Sequence, residues 1–283
     1  MGSGLMAEEQ VLPHAGAEVA GGRPGPSRGG CWRSLLAYAT CVVVTAVVSV
    51  AATTWVLSST RSGEWVQVYR EDFDVAAPVG SFPGAAYGER ATVYPDGWSD
   101  TSGRGQYTPS QVLSVVDGVL QWDMHTVDGI PRGAAVLPTL PTYGQTYGRY
   151  SVRFRADPVA GYGLAFLLWP DSEKWPRDGE IDFPEGELDG PVKAVAHHAS
   201  ERGTIDGFPL TTTFDDWHIA TTEWRPDEIT FLMDGEVVGR STTDVPSRSM
   251  HWVLQTGTDG DALPDPAART RIQVDWLEAE ALR

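Results

Sequence analysis

Cysteine is almost missing from this chain: Cys31 and Cys41 are the only two in 283 residues. Both lie near the N-terminus, so neither a disulfide framework nor a thiolate metal site is open to the rest of the sequence. Positive charge is scarce too, with 21 Lys and Arg against 38 Asp and Glu and a formal net charge of −17. That field repels phosphate backbones and anionic lipid headgroups, which argues against nucleic acid as a partner. Long apolar runs are absent except for one, and no amphipathic helical periodicity or internal repeat occurs outside it. Tryptophan, by contrast, is plentiful at 11 residues. Burial is the default for an indole, but a surplus also lines sites that hold flat apolar faces such as sugar rings.

The one apolar run is SLLAYATCVVVTAVVSVAATTWVL, Ser34 to Leu57. It is uncharged and longer than the ~20 residues a bilayer-spanning helix needs. Trp32 and Trp55 bracket it, about 34 Å apart at helical rise, a spacing that suits two interfacial anchors. Arg23, Arg28 and Arg33 all precede it, so the positive-inside rule leaves residues 1–33, rich in Gly, Ala and Pro, as a disordered cytoplasmic tail. The expected arrangement is a single-pass signal anchor with the bulk of the chain extracellular. The competing reading is a signal peptide cleaved near Ser49 to Ala52, though its apolar core is longer than such peptides require. Export follows either way.

Residues 58–283 have the length of one all-β domain. VLSVVDGVLQWDMHTV (Val112 to Val127) reads as a hairpin turning at Asp117-Gly118, and EITFLMDGEVVGR (Glu228 to Arg240) repeats the device at Asp234-Gly235. Further strands are expected over 148–156, 163–169, 192–198, 217–224, 251–256 and 271–280. Many antiparallel strands with long loops predict a two-sheet sandwich or jelly roll.

Within it, DGEIDFPEGE (Asp178 to Glu187) alternates acids with strand-forming residues and then inserts a proline. On a regular strand Glu180 and Asp182 share a face while Glu185 points away. One extra residue at Phe183-Pro184 restores Glu185 to that face, and proline in a sheet is mostly confined to edges and bulges. Two Glu side chains leaning together across such a bulge suit a retaining glycosidase, whose carboxyl groups sit ~5–5.5 Å apart. The alternatives are a Ca²⁺ site or a solvated acidic loop, and Asp178, Glu187 and Asp189 read as surface charge.

The sequence resembles the family 16 glycoside hydrolases of laminarinase type. Their E-x-D-x-x-E motif is present as Glu180, Asp182 and Glu185, with Trp175-Pro176 shortly upstream. YGRYSVRFRA (Tyr147 to Ala156), EWRPDEITFLMDG (Glu223 to Gly235), VDWLEAE (Val274 to Glu280) and EDFD (Glu71 to Asp74) are similar to other family segments. The resemblance implies a concanavalin A-like β-jelly-roll with a concave cleft and hydrolysis of β-1,3- or mixed-linkage glucan with retention. It makes Glu180 the nucleophile, Glu185 the acid/base and Asp182 their helper, with no cofactor or metal in the chemistry. It also implies substrate contacts from Trp175, His197, Trp169, Gln255 and Arg153, and a structural Ca²⁺ at Asp275. Trp252 is left between platform and core, whereas Trp224 and Trp276 are expected in the core and His198 as a buried structural residue. Gly163 and Leu167 replace two aromatics of the family, and Gln255 stands for its usual Asn, so the preferred glycan is open. The expected partner is a polysaccharide met by a monomer, with transglycosylation as a companion activity. A non-catalytic lectin-like module is the alternative. A polyuronate lyase fits less well, because three clustered acids repel its substrate.

Overall fold

The computed structural model describes residues 63–260 and 262–283. The expected tail, the apolar segment Ser34 to Leu57 and both cysteines lie outside the described residues. Among those residues no helix is long and apolar enough to cross a membrane. Helix there is confined to two single turns, Gly84–Tyr87 and Pro109–Val112.

The strands form two sheets. One has seven strands, in the order Ile205–Pro209, Lys193–His197, Glu180–Glu187, Tyr162–Pro170, Met250–Thr258, Ala135–Pro138 and Ala91–Val93. The other has ten and is built around Gly148–Ala156 and the long last strand Arg269–Leu282. Both expected hairpins close as read, with Val116 opposite Val119 and Met233 opposite Glu236. Asp117, Gly118, Asp234 and Gly235 all hold positive φ. Two consecutive left-handed residues give a turn whose twist matches the flanking strands, which is why Asp-Gly marks these corners.

The core lies between the sheets. Trp122, Phe154, Trp224 and Phe231 enter from the ten-stranded side and Phe166, Ile181, Phe183 and Leu254 from the other. Phe183 meets Phe231 edge-on at 5.5 Å, and Trp122 and Phe154 both pack on Phe166. Each such side chain contributes about 1.5–3 kcal/mol on burial. The indole N–H of Trp122 donates to the Ala134 carbonyl and that of Trp224 to the Pro246 carbonyl, so neither is buried unpaired. Trp252 is also core, edge-on to Tyr150 at 5.4 Å. Trp276 departs from expectation: a register shift between Val274 and Trp276 leaves it partly exposed, with the Arg70 guanidinium 4.3 Å from its ring centre.

The outer face of the seven-stranded sheet carries the site, and one buried carboxylate fixes a loop over it. Asp100 accepts bonds from the Thr258 amide (2.9 Å) and hydroxyl (2.7 Å), from the Gly105 amide (3.1 Å) and from Ser102 (2.9 Å). Burial pushes its carboxyl up, but these donors outweigh burial and hold it below the usual carboxylate range. The staple ties the 100–105 loop to the end of strand Met250–Thr258. It thereby sets Thr101 and Ser102 beside the site.

Candidate active site

The motif strand Glu180–Glu187 runs between Tyr162–Pro170 and Lys193–His197. Asp182 pairs with Val195 and Leu167, and Glu185 with Lys193 and Ala165. Three steps on the motif strand thus face two on each neighbour, a one-residue bulge at Phe183-Pro184. Pro184 suits the place because it has no N–H to offer the ladder. Ile181 and Phe183 turn into the core, at 1% and 4% exposure, while Glu180, Asp182 and Glu185 share the opposite face. Alternation before the bulge and after it would otherwise place Glu185 among the core side chains.

His197, opposite Glu180 in register, points its Nε2 at Asp182 Oδ2 (3.0 Å) and lies 3.8 Å from Glu180 Oε2. Burial, then the neighbouring Asp182 charge, pushes the Glu180 carboxyl up to about 9. Burial and the charge of Glu185 push Asp182 well up as well. Two carboxyls so placed do not both ionise near neutral pH; together they hold one proton. The hydrogen bonding agrees. Asp182 Oδ1 is buried with no N–H or O–H aimed at it among the described residues, so nothing at that oxygen favours the ionised form. Glu180, Asp182 and His197 offer atoms within 4.8 Å of one another, a spacing a metal ion could also bridge.

This shared proton has a consequence for stability. The folded Glu180 titrates near 9 against an ordinary 4.5. Between those values the folded state keeps a proton that the unfolded chain has lost, so stability falls as pH rises through the window. Glu180→Gln removes the penalty. At pH 8 it should be more stable than wild type by on the order of 1–3 kcal/mol, or roughly 2–4 °C in Tm per kcal/mol for a domain of this size. Thermal melts at pH 5 and pH 8 check this, and parallel pH dependence in the two proteins would contradict it.

Glu185 differs from the pair. Its Oε1 lies 3.1 Å from Lys193 Nζ, while Oε2 is buried without a partner among the described residues. Burial lowers the Lys193 ammonium, but Glu185 and then Asp259 outweigh burial and raise it overall, so the lysine stays charged.

Two cavities open over the acids. One of about 310 Å³ is lined by Tyr94, Trp98, Trp169, Glu173, Glu180 and Gln255 among others. The other, about 210 Å³, lies beside Glu185 and also touches Gln255. Trp169, its indole N–H bonded to Glu173 at 2.9 Å, and Gln255 both line the larger cavity. Trp175 stands 47% exposed, edge-on to His197 at 6.0 Å. His198 is buried between Thr204 and Asp206.

Arg153 is a correction. It sits on Gly148–Ala156 in the ten-stranded sheet, where its guanidinium bonds Asp275 at 2.5 Å and stacks on Trp217. Alternation along that strand sends its neighbours Val152 and Phe154 to the core and Arg153 to the far surface, away from the acids. Asp275 faces this cation, and Ca²⁺ wants six to eight oxygens, so the donor set does not suit a calcium site. Asp178 is a second correction: it is buried and bonded by Ser172 and Arg177, not surface charge. Sequence reading missed Tyr94, Trp98, Thr101, Tyr107 and Lys193. Only Trp98, a tryptophan in a Gly- and Pro-rich loop, left a signal.

Residues 113–278 match the family model described as glycosyl hydrolases family 16. The chain belongs to that family. A β-glucanase of Rhodothermus marinus is 27% identical over 188 residues, covering 53% of this chain and 65% of the relative. An endo-1,3-1,4-β-glycanase of Rhizobium meliloti is 22% identical over 165 residues, covering 55% and 35%. The chain thus spans between about a third and two thirds of these relatives. The solved laminarinase from Rhodothermus marinus superposes with a TM-score of 0.63 at 22% identity, covering 79% of this chain and 100% of that one. At that identity the likeness establishes the fold, the jelly-roll sandwich that family 16 shares.

Proposed function

We propose that the domain is an endo-acting hydrolase of β-linked polysaccharide, with β-1,3- or mixed-linkage glucan as substrate, working by double displacement with retention. The observation that carries this reading is the bulge that turns Glu180, Asp182 and Glu185 to one face. For attack, the proton held by the Glu180–Asp182 pair passes to Asp182 as substrate binds, which leaves Glu180 ionised and oriented toward the anomeric carbon. Glu185 gives a proton to the departing glycosidic oxygen as the C–O bond breaks and a glycosyl ester forms on Glu180. Glu185 then takes a proton from water, or from an acceptor sugar in transglycosylation, as that oxygen displaces Glu180. Two inversions restore the β configuration.

A non-catalytic glycan-binding module is the second reading, and the Lys193–Glu185 ion pair favours it. The ammonium occupies one oxygen of the carboxyl that hydrolysis needs as its proton donor. Reducing-sugar release across a panel of β-glucans and galactans separates the two: any wild-type turnover lost in Glu185→Ala rules out the binding module.

Trp175 is proposed as a stacking platform beside the acids, since nearly half of its surface is open. Trp175→Ala should raise KM, weakening substrate binding by about 1–3 kcal/mol. Unchanged KM and kcat/KM with a lowered Tm would make it a packing residue instead.

We further propose that Ser34 to Leu57 remains attached as a membrane anchor and that the domain acts outside the cell as a monomer. Intact-mass measurement on the membrane fraction should give the uncleaved chain. A mature protein beginning near Ala52 would overturn the anchor.

A further inference from the structure

Gly163 has no room for a side chain. A Cβ there would lie 2.5 Å from Asp259 Cβ, 2.6 Å from Asp259 Oδ2 and 2.9 Å from the Gly186 carbonyl. The space is taken by the Asp259 carboxylate, which folds over the glycine into the cavity beside Glu185. Two backbone bonds set it there. The Asp259 amide donates to the Gly161 carbonyl (3.1 Å), and the Gly260 amide donates to Asp259 Oδ1 (2.8 Å). Among the described residues Oδ2 is thereby left as the free acceptor.

The cavity it enters differs from its neighbour. At about 210 Å³ it has the volume of roughly seven waters at ~30 Å³ each, space for a single sugar ring. Its polar groups are Thr101, Ser102, Gln255, Thr258 and the two carboxylates; Leu164 and Ala165 add apolar wall, and the one aromatic, Tyr107, is only 3% exposed. The adjoining cavity holds the open aromatic faces Trp98 and Trp169. A ring in the smaller cavity is therefore held by hydrogen bonds to its hydroxyls and not by stacking. Behind Asp259 lies an acidic basin lined by Glu187 and Asp189, with Lys193 as its cation, already paired to Glu185. That field selects against uronic or sulfated units and for an uncharged hexose.

We infer that Asp259, made possible by Gly163, is a specificity-determining residue. Its Oδ2 accepts hydrogen bonds from adjacent hydroxyls of an uncharged hexose unit seated beside Glu185. The inference rests on the proposed glycan-cleaving role of the cleft, and its test is a binding measurement so that the two can fail separately.

The test uses the full chain in detergent, titrated calorimetrically with β-1,3-gluco-oligosaccharides of increasing length, with hydrolysis followed in parallel. Asp259→Ala should weaken binding about tenfold for oligosaccharides long enough to fill the cavity and leave shorter bound ones unaffected, with Tm unchanged. Gly163→Ala should produce the same length-dependent loss with the carboxylate still present, because the methyl group displaces it. Binding of every length as in wild type by both variants would overturn the inference. So would an equal loss at all lengths, or a wild-type protein that binds none of the series. Length-dependent loss in a protein that hydrolyses nothing would uphold Asp259 and remove the hydrolase reading.

Discussion

Glu180→Ser should lose glucan hydrolysis by about ten-thousand-fold or more, the scale on which enzymes lose turnover when a nucleophile is removed. The serine is shorter than the glutamate and leaves a gap where the covalent bond would form, so a small anion can enter it. Azide should restore turnover of an activated aryl β-glycoside, and the product should be the α-glycosyl azide, formed by one displacement in place of two. The same substitution removes one of two carboxyls that share a proton, so the folded variant should keep or exceed wild-type stability above neutral pH. An inactive but stable variant rescued by azide identifies the nucleophile. Glu180→Ser with unaltered turnover would move that role elsewhere.

Glu185→Ala should lose about 10²- to 10⁴-fold in kcat/KM on glucan, the usual range for a positioned proton donor. The loss should fall below tenfold for aryl glycosides whose leaving group departs without a proton. That contrast separates proton donation from binding. Equal losses on both substrates would mean that Glu185, held by Lys193, positions the sugar and does not donate the proton.

The long strands were legible from sequence because both kinds of signal agreed. Gly148–Ala156 alternates core and surface residues, and the Asp-Gly corners supply the two left-handed residues a tight hairpin needs. The bulge was legible from a single residue, since Pro184 in an otherwise strand-like run has few places to go. Arg153 was misplaced for a physical reason. Alternation shows that it leaves the core, but not which of two sheets the strand joins, and that is decided by pairing with residues over a hundred positions away. Short strands such as Ala91–Val93 and Gln106–Tyr107 carry too few residues for any period to register. The cleft wall from the 100–105 loop is fixed by Asp100 bonding to Thr258, 158 positions along the chain. Gly163 was legible as a missing aromatic. What replaces it, the carboxylate of Asp259, comes from a distant loop and only the folded chain brings the two together.

Three carboxylates on one face of a bulged strand are proposed here to act by double displacement. The measurement closest to it is the anomeric configuration of the first product, followed by proton NMR within the first minutes of wild-type hydrolysis. With double displacement the β-anomer forms first and then mutarotates toward equilibrium. An α-anomer appearing first would mean direct attack by water between carboxylates set farther apart, and would contradict it.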